Sequence, residues 1–140
     1  MPKFGKRSKT RLKTCNYLLQ TIFEVVIETF DCAILEGYRD EATQNALLNW
    51  IPPRSKVKWP NSKHNKSPSM AIDVAPWFSK APHTRWDKKY LARYYYFAGY
   101  VKGIARSMNI PLRWGGDWDD DTILSDQDFN DLVHFELPTM

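Results

Sequence analysis

His64, Asp73 and His134 are the side chains of this sequence whose types could do chemistry together. Two imidazoles and one carboxylate, with a fourth position left for water, are a common ligand set for catalytic zinc. Imidazole suits the borderline softness of the ion, and the carboxylate neutralises part of its charge. Water in the open position is acidified toward a pKa of ~7, which makes it a usable nucleophile at neutral pH. A second set of oxygen ligands, Asp117, Asp119, Asp120 and Asp121, resembles a flexible calcium loop in ligand type but lacks a full EF-hand pattern. His83, in KAPHTRW, has no ligand-like neighbour and is expected to be exposed.

For the zinc set to form, a loop and two strands must converge. In SMAIDVAPWF, Met70, Ile72 and Val74 share one strand face, and Ala71, Asp73 and Ala75 share the other. Asp73 therefore projects away from the core, between two small alanines. VHFEL repeats the pattern, with Val133, Phe135 and Leu137 apolar and His134 and Glu136 opposite. Pairing of these strands would bring Asp73 to His134. His64 lies in the loop that feeds the first strand, stiffened by Pro52, Pro53, Pro60 and Pro68, and can reach the same face.

The remaining elements follow from periodicity. Leu12, Cys15, Leu18, Leu19, Ile22, Val25, Val26 and Phe30 predict an amphipathic helix over roughly 10–30. CAILEGYR predicts a strand ending at Arg39, and DEATQNALLNW a helix capped by Asp40. Asp87 opens a long helix with Leu91, Tyr95, Ala98, Val101, Ala105 and Met108 on one face, ended by Asn109 and Pro111. PLRWGGDW reads as a strand running into the acidic loop. This order predicts a single α+β domain: a small, mostly antiparallel sheet with packed helices and the zinc site on one sheet face.

The chain has 140 residues, 43% of them hydrophobic and 26% charged, which is globular and long enough to bury a core. Its net charge of +4 is unevenly spread. Lys3, Lys6, Arg7, Lys9, Arg11 and Lys13 crowd the start with no acid among them, whereas residues 117–136 carry acids and no lysine or arginine. Residues 1–9 read as a loose basic arm and residues 10–140 as the domain. Such an arm suggests attraction to an anionic polymer. Gln20, Glu24 and Glu28 interrupt the first apolar run and no small-residue cleavage site follows, so a signal peptide is not expected. No run approaches a membrane span. Cys15 and Cys32 fall at apolar positions and read as core residues rather than a disulfide framework. A nucleic-acid-binding module is the reading from another class. Most aromatics fall at helical core spacing, and the acidic C-terminal third would repel phosphates.

Four motifs occur in order: S-x-H at 62–64, P-S-x-A-x-D-V-x-P at 68–76, R-W-G-G-D-W at 113–118 and D-x-x-H-F-E-L at 131–137. Together they resemble the zinc peptidoglycan peptidases, comprising D-alanyl-D-alanine carboxypeptidases and L-alanyl-D-glutamate endopeptidases, over about residues 33–138. The short chain is most similar to the phage endolysin branch. His64 and Asp73 stand nine apart where much of the family has seven, with Ser67-Pro68-Ser69 in place of a glycine region. The resemblance implies one catalytic zinc on His64, Asp73 and His134, with Asp131 as general base and Arg39 as the family's arginine. Asp at the base position, where the dipeptidases carry Glu, favours the endolysin branch. Strict alternation places Asp131 on the Val133 side, so it can serve only from a turn before the strand. Its rivals are Glu136, which also reads as a hydrogen-bonded partner of a histidine, and Asp128.

Arg39 suits either the oxyanion of an amide hydrolase or a substrate carboxylate. Ser62 could bond substrate or shape its loop. Trp114 or Trp118 could wall the cleft, with Gly115 and Gly116 leaving backbone open to a peptide. The expected function is cleavage of the L-alanyl–D-glutamate bond of peptidoglycan stem peptides during host lysis, by a monomer made in the host cytoplasm that neither inserts in membrane nor binds nucleic acid. The alternatives are a D-Ala-D-Ala carboxypeptidase of the same family and a zinc-stabilised domain without activity.

Overall fold

Strands β1 (Cys32–Glu36), β2 (Ala71–Pro76), β3 (Arg113–Trp114) and β4 (His134–Glu136) form one antiparallel sheet in the order β1-β2-β4-β3. The computed structural model describes residues 1–140 except 51, 52, 54, 56, 125–130, 139 and 140. Helices α1 (Lys6–Leu12), α2 (Tyr17–Val26), α3 (Glu41–Leu48) and α4 (Leu91–Ser107) complete the α+β architecture, and short 3₁₀ turns cover Lys63–Asn65 and Lys88–Tyr90. Among the described residues no helix is long and apolar enough to cross a membrane.

Alternation in β2 and β4 divides the sheet as the sequence suggests. Ile72, Val74, Phe135 and Leu137 are fully buried in the core with Leu19, Ile22, Phe23 and Val26 of α2 and Phe97, Ala98, Val101 and Ala105 of α4. Phe135 is the hinge of this packing, with edge-on contacts to Phe23 at 5.6 Å and to Phe97 at 6.1 Å. Truncating a buried Phe of this kind costs ~3–5 kcal/mol. The opposite face of the sheet is left to Asp73, His134 and Glu136. A register irregularity between Ile34 and Glu36 sets Glu36 opposite Asp73, adding a further carboxylate to that face.

Several boundaries differ from the sequence reading. The helix expected over 10–30 is two helices, broken where Asn16 caps α2 by accepting from the Leu18 amide. The break is tied to the segment before β2, with Asn16 N donating to Ser69 O and Ser69 N donating to Thr14 O. Leu12, Cys15 and Leu19 stay buried across it, so the apolar period survives although the helix does not. Residues 1–9 are not a loose arm throughout: the chain is helical from Lys6, and buried Ser8 accepts from the Ile34 amide of β1. β1 stops at Glu36 rather than Arg39, and only Arg113 and Trp114 of PLRWGGDW are strand.

In α4 the core face carries Tyr94 and Phe97 in place of Leu91 and Tyr95, because hydropathy cannot sort three successive tyrosines. His83 is half-buried, not exposed: its ring stacks on Trp77 at 4.5 Å and its Nδ1 bonds Phe78 O. Asp40 does cap α3, accepting from the Thr43 amide. Cys15 and Cys32 are buried and unbridged, and burial pushes the Cys15 thiol up to about 12.

Candidate active site

The β2–β4 register places Asp73 directly opposite His134. Asp73 Oδ1 lies 3.3 Å from His134 Nδ1 and 3.3 Å from His64 Nε2. His64 comes from the 3₁₀ turn Lys63–Asn65, which is closed by a reciprocal cap: the Ser62 hydroxyl accepts from His64 N and the Asn65 side chain accepts from Ser62 N. The turn is locked to the end of β1 by Arg39 N donating to His64 O and Asn65 Nδ2 donating to Arg39 O.

Each imidazole is oriented from behind. His64 Nδ1 sits 2.7 Å from the Gly37 carbonyl, which can only accept, so the proton is on Nδ1 and the Nε2 lone pair faces Asp73. His134 Nε2 sits 2.9 Å from Glu136 Oε1, which turns the Nδ1 lone pair to the same point. Glu136 is itself gripped on Oε2 by Lys63 Nζ at 3.2 Å and Arg113 Nη1 at 3.5 Å.

Three acceptors therefore converge, and their ligand atoms all lie within 4.8 Å of one another. His64 Nε2 and Asp73 Oδ1 are buried with no hydrogen-bond partner among the described residues. Buried acceptors without a donor are costly, and a cation is the partner this donor set fits. Burial alone would push the Asp73 carboxyl up, but His64 and His134 outweigh it and hold it well below the usual carboxylate range. Burial lowers His134, yet Asp73 and Glu136 overcome this and raise it to about 9.

A cavity of about 440 Å³ opens over this centre, and Arg39, Ser62, His64, Trp118, Asp131, His134 and Glu136 are among its walls. Asp131 reaches it because β4 begins only at His134: residues 132 and 133 form a turn, closed by His134 N donating to Asp131 O. The strand's alternation does not extend to Asp131. Burial and the Asp73 charge raise its carboxyl above the ordinary value, against the pull of His134, His64 and Arg39. Arg39 is fixed by Glu36, which accepts from Nε and Nη2, and by Gln44, which accepts from Nη1 at 2.9 Å. Its Nη2 lies 3.9 Å from Asp73 Oδ2.

Of the two tryptophans that could wall the cleft, Trp114 is not placed to do so. Trp114 is 6% exposed, belongs to the core and does not line the cavity. Trp118 does, with its ring 5.2 Å from that of His134. Gly115 and Gly116 are buried rather than open to a peptide. Glu136 bonds His134, as its second reading had it, and Asp128 lies outside the described residues.

The acidic loop does bring Asp117, Asp119 and Asp121 together. Asp117 accepts from the amides of Asp121 and Thr122, and Lys102 pairs with Asp120 at 2.8 Å; calcium gains no support from these contacts. Gly37, Gln44, Lys63 and Arg113 support the site without having been singled out. Of these, Arg113 opens the R-W-G-G-D-W motif and Gly37 stands two residues before Arg39 in GYR, and the other two carried no signal. A Cβ on Gly37 would lie 2.6 Å from Arg11 O and 2.8 Å from Cys15 Sγ.

The fold is one already seen in a solved structure. Over 97% of this chain and 90% of the other, it matches the crystal structure of the Serratia marcescens L-Ala D-Glu endopeptidase ChiX, with a TM-score of 0.71 at 22% identity. Among curated proteins none matches the chain significantly. Residues 1–138 match the family described as phage L-alanyl-D-glutamate peptidase, and the chain belongs to that family. Its activity is accordingly that of a peptidase for the bond between L-alanine and D-glutamate.

Proposed function

We infer that the protein is a zinc endopeptidase that cuts the L-alanyl–D-glutamate bond in the stem peptides of bacterial peptidoglycan and serves a phage in host lysis. The observation that carries the zinc reading is the pair of buried, unpartnered acceptors, His64 Nε2 and Asp73 Oδ1, beside His134 Nδ1. These three residues would hold the ion. Bound zinc supplies Lewis acidity, which polarises a carbonyl and lowers the pKa of water.

The chain's own groups supply the rest. Asp131, in the cavity wall, takes the proton of the attacking water and returns it to the leaving amine. Arg39 presents its guanidinium already fixed by Glu36 and Gln44, so stabilising negative charge on the former carbonyl oxygen, or clasping a substrate carboxylate, needs little rearrangement. Ser62 shapes the His64 turn through its hydroxyl and offers the same oxygen to substrate at the cavity wall. Trp118, above His134, gives the peptide an apolar wall.

Mass spectrometry of a peptidoglycan digest tests the bond. A new amino terminus on D-glutamate is expected; release of D-alanine alone would make the protein a carboxypeptidase. Chelation should abolish the digest and zinc should restore it, and full activity after exhaustive chelation removes the zinc reading.

A further inference from the structure

The turn that carries Asp131 is fastened to the end of β3 by three hydrogen bonds, all made by two adjacent residues. Asp131 N donates to Gly115 O at 2.9 Å, and Gly115 N donates to His134 O at 2.8 Å. Trp114 Nε1 donates to Leu132 O at 2.8 Å. The contact leaves no room for a side chain: a Cβ on Gly115 would fall onto the Asp131 carbonyl oxygen and lie 3.0 Å from the Asp131 Cβ. The next residue makes room for the brace, since a Cβ on Gly116 would strike the benzo ring of Trp114. Neither glycine has a positive φ, so what glycine supplies at both positions is clearance and not backbone freedom.

We propose that Trp114, Gly115 and Gly116 are positioning residues for Asp131, holding its turn closed so that the carboxylate faces the cavity. The proposal rests on Asp131 being the general base. The reason such a device is needed is geometric. In a strand extended back to residue 131, alternation would send the carboxylate to the side of Val133 and the core. Only the turn reverses this; among the described residues its own bond is the one from His134 N to Asp131 O, and β2 adds Val74 N donating to Val133 O at 2.8 Å. The brace adds a bond on each of residues 131, 132 and 134. It touches neither the side chain of a metal-binding residue nor the wall formed by Arg39 and Ser62.

The test compares zinc-loaded Gly115→Ala, Trp114→Phe, Asp131→Asn and the Gly115→Ala/Asp131→Asn double variant on a stem peptide containing L-Ala–D-Glu. Displacing a base by about 1 Å costs on the order of 10²-fold, so Gly115→Ala should lose about that much in kcat with KM and zinc content unchanged. Trp114→Phe, which keeps an aromatic ring and removes only the indole donor, should show a smaller loss of the same kind. In the double variant the Gly115 change should add nothing to the loss caused by Asp131→Asn. Wild-type kcat in Gly115→Ala, a loss of zinc in step with rate, or a full additional loss in the double variant overturns the proposal. Should Gly115→Ala not fold, wild-type kcat in Trp114→Phe overturns it instead. Near-normal activity in Asp131→Asn would remove the base assignment and the brace with it, a result distinct from an inactive Asp131→Asn beside a normal Gly115→Ala.

Discussion

His134 and Asp131 lie close together on one segment, yet the molecule holds them by different means. His134 sits in β4, paired across to Asp73, with Glu136 behind its ring and two cations behind Glu136. Asp131 sits in a turn, and its direction depends on bonds lent by Trp114 and Gly115. The first arrangement is built from regular pairing and buried charge, the second from borrowed hydrogen bonds and the clearance at two glycines. In the proposed mechanism a metal-binding group must converge on a point with other residues, which a sheet register does well. The proposed base must approach from the side, and the strand is interrupted where Asp131 does so.

The contrast can be broken most sharply at its two ends. His134→Ala should lose its zinc and, with it, essentially all activity, measured by elemental analysis beside the digest; full zinc occupancy would show that the strand pairing does not build the centre. Asp131→Asn keeps shape but cannot take a proton. It should hold its zinc and its melting temperature and lose ~10²–10⁴-fold in kcat.

Glu136→Gln sharpens the comparison. Removing the charge behind His134 should weaken metal affinity ~10–100-fold, by competition with a chelator, and leave the zinc-saturated enzyme much closer to wild type than Asp131→Asn. The opposite ranking, with zinc-saturated Glu136→Gln inactive and Asp131→Asn nearly normal, would transfer the role of base to Glu136. The smallest expected effect is at the acidic loop. Asp117 and Asp120 are engaged by backbone amides and Lys102, so millimolar calcium should leave the melting temperature unchanged. A calcium-dependent rise, lost in Asp119→Asn/Asp121→Asn, would reinstate an ion there.

What could be read from the sequence follows the same division. Period two separated Asp73, His134 and Glu136 from Ile72, Val74 and Phe135, and the two matching patterns proved to be neighbouring strands. His64 needed only a loop of sufficient reach. Periodicity fails where it is interrupted. It could not orient Asp131 across a turn, nor assign Trp114 and Trp118, because Asp117 N bonds back to Trp114 O and the reversal sends one indole to the core and the other to the cavity. The helix break at Asn16 was hidden because both helices bury the same apolar stripe. Gly37 acts through a carbonyl oxygen, which every residue has, and Gln44 through a pairing that only the closed fold creates.

The two cysteines have a consequence beyond packing. The three side chains that converge as a candidate metal site offer nitrogen or oxygen, and no sulfur is among them. Both thiols are buried and unbridged, and burial shifts each toward its protonated, unreactive form. Glutathione, air or peroxide thus meets neither a thiolate to oxidise nor a disulfide to reduce among these residues. An enzyme built this way should work equally well in a reducing and an oxidising medium.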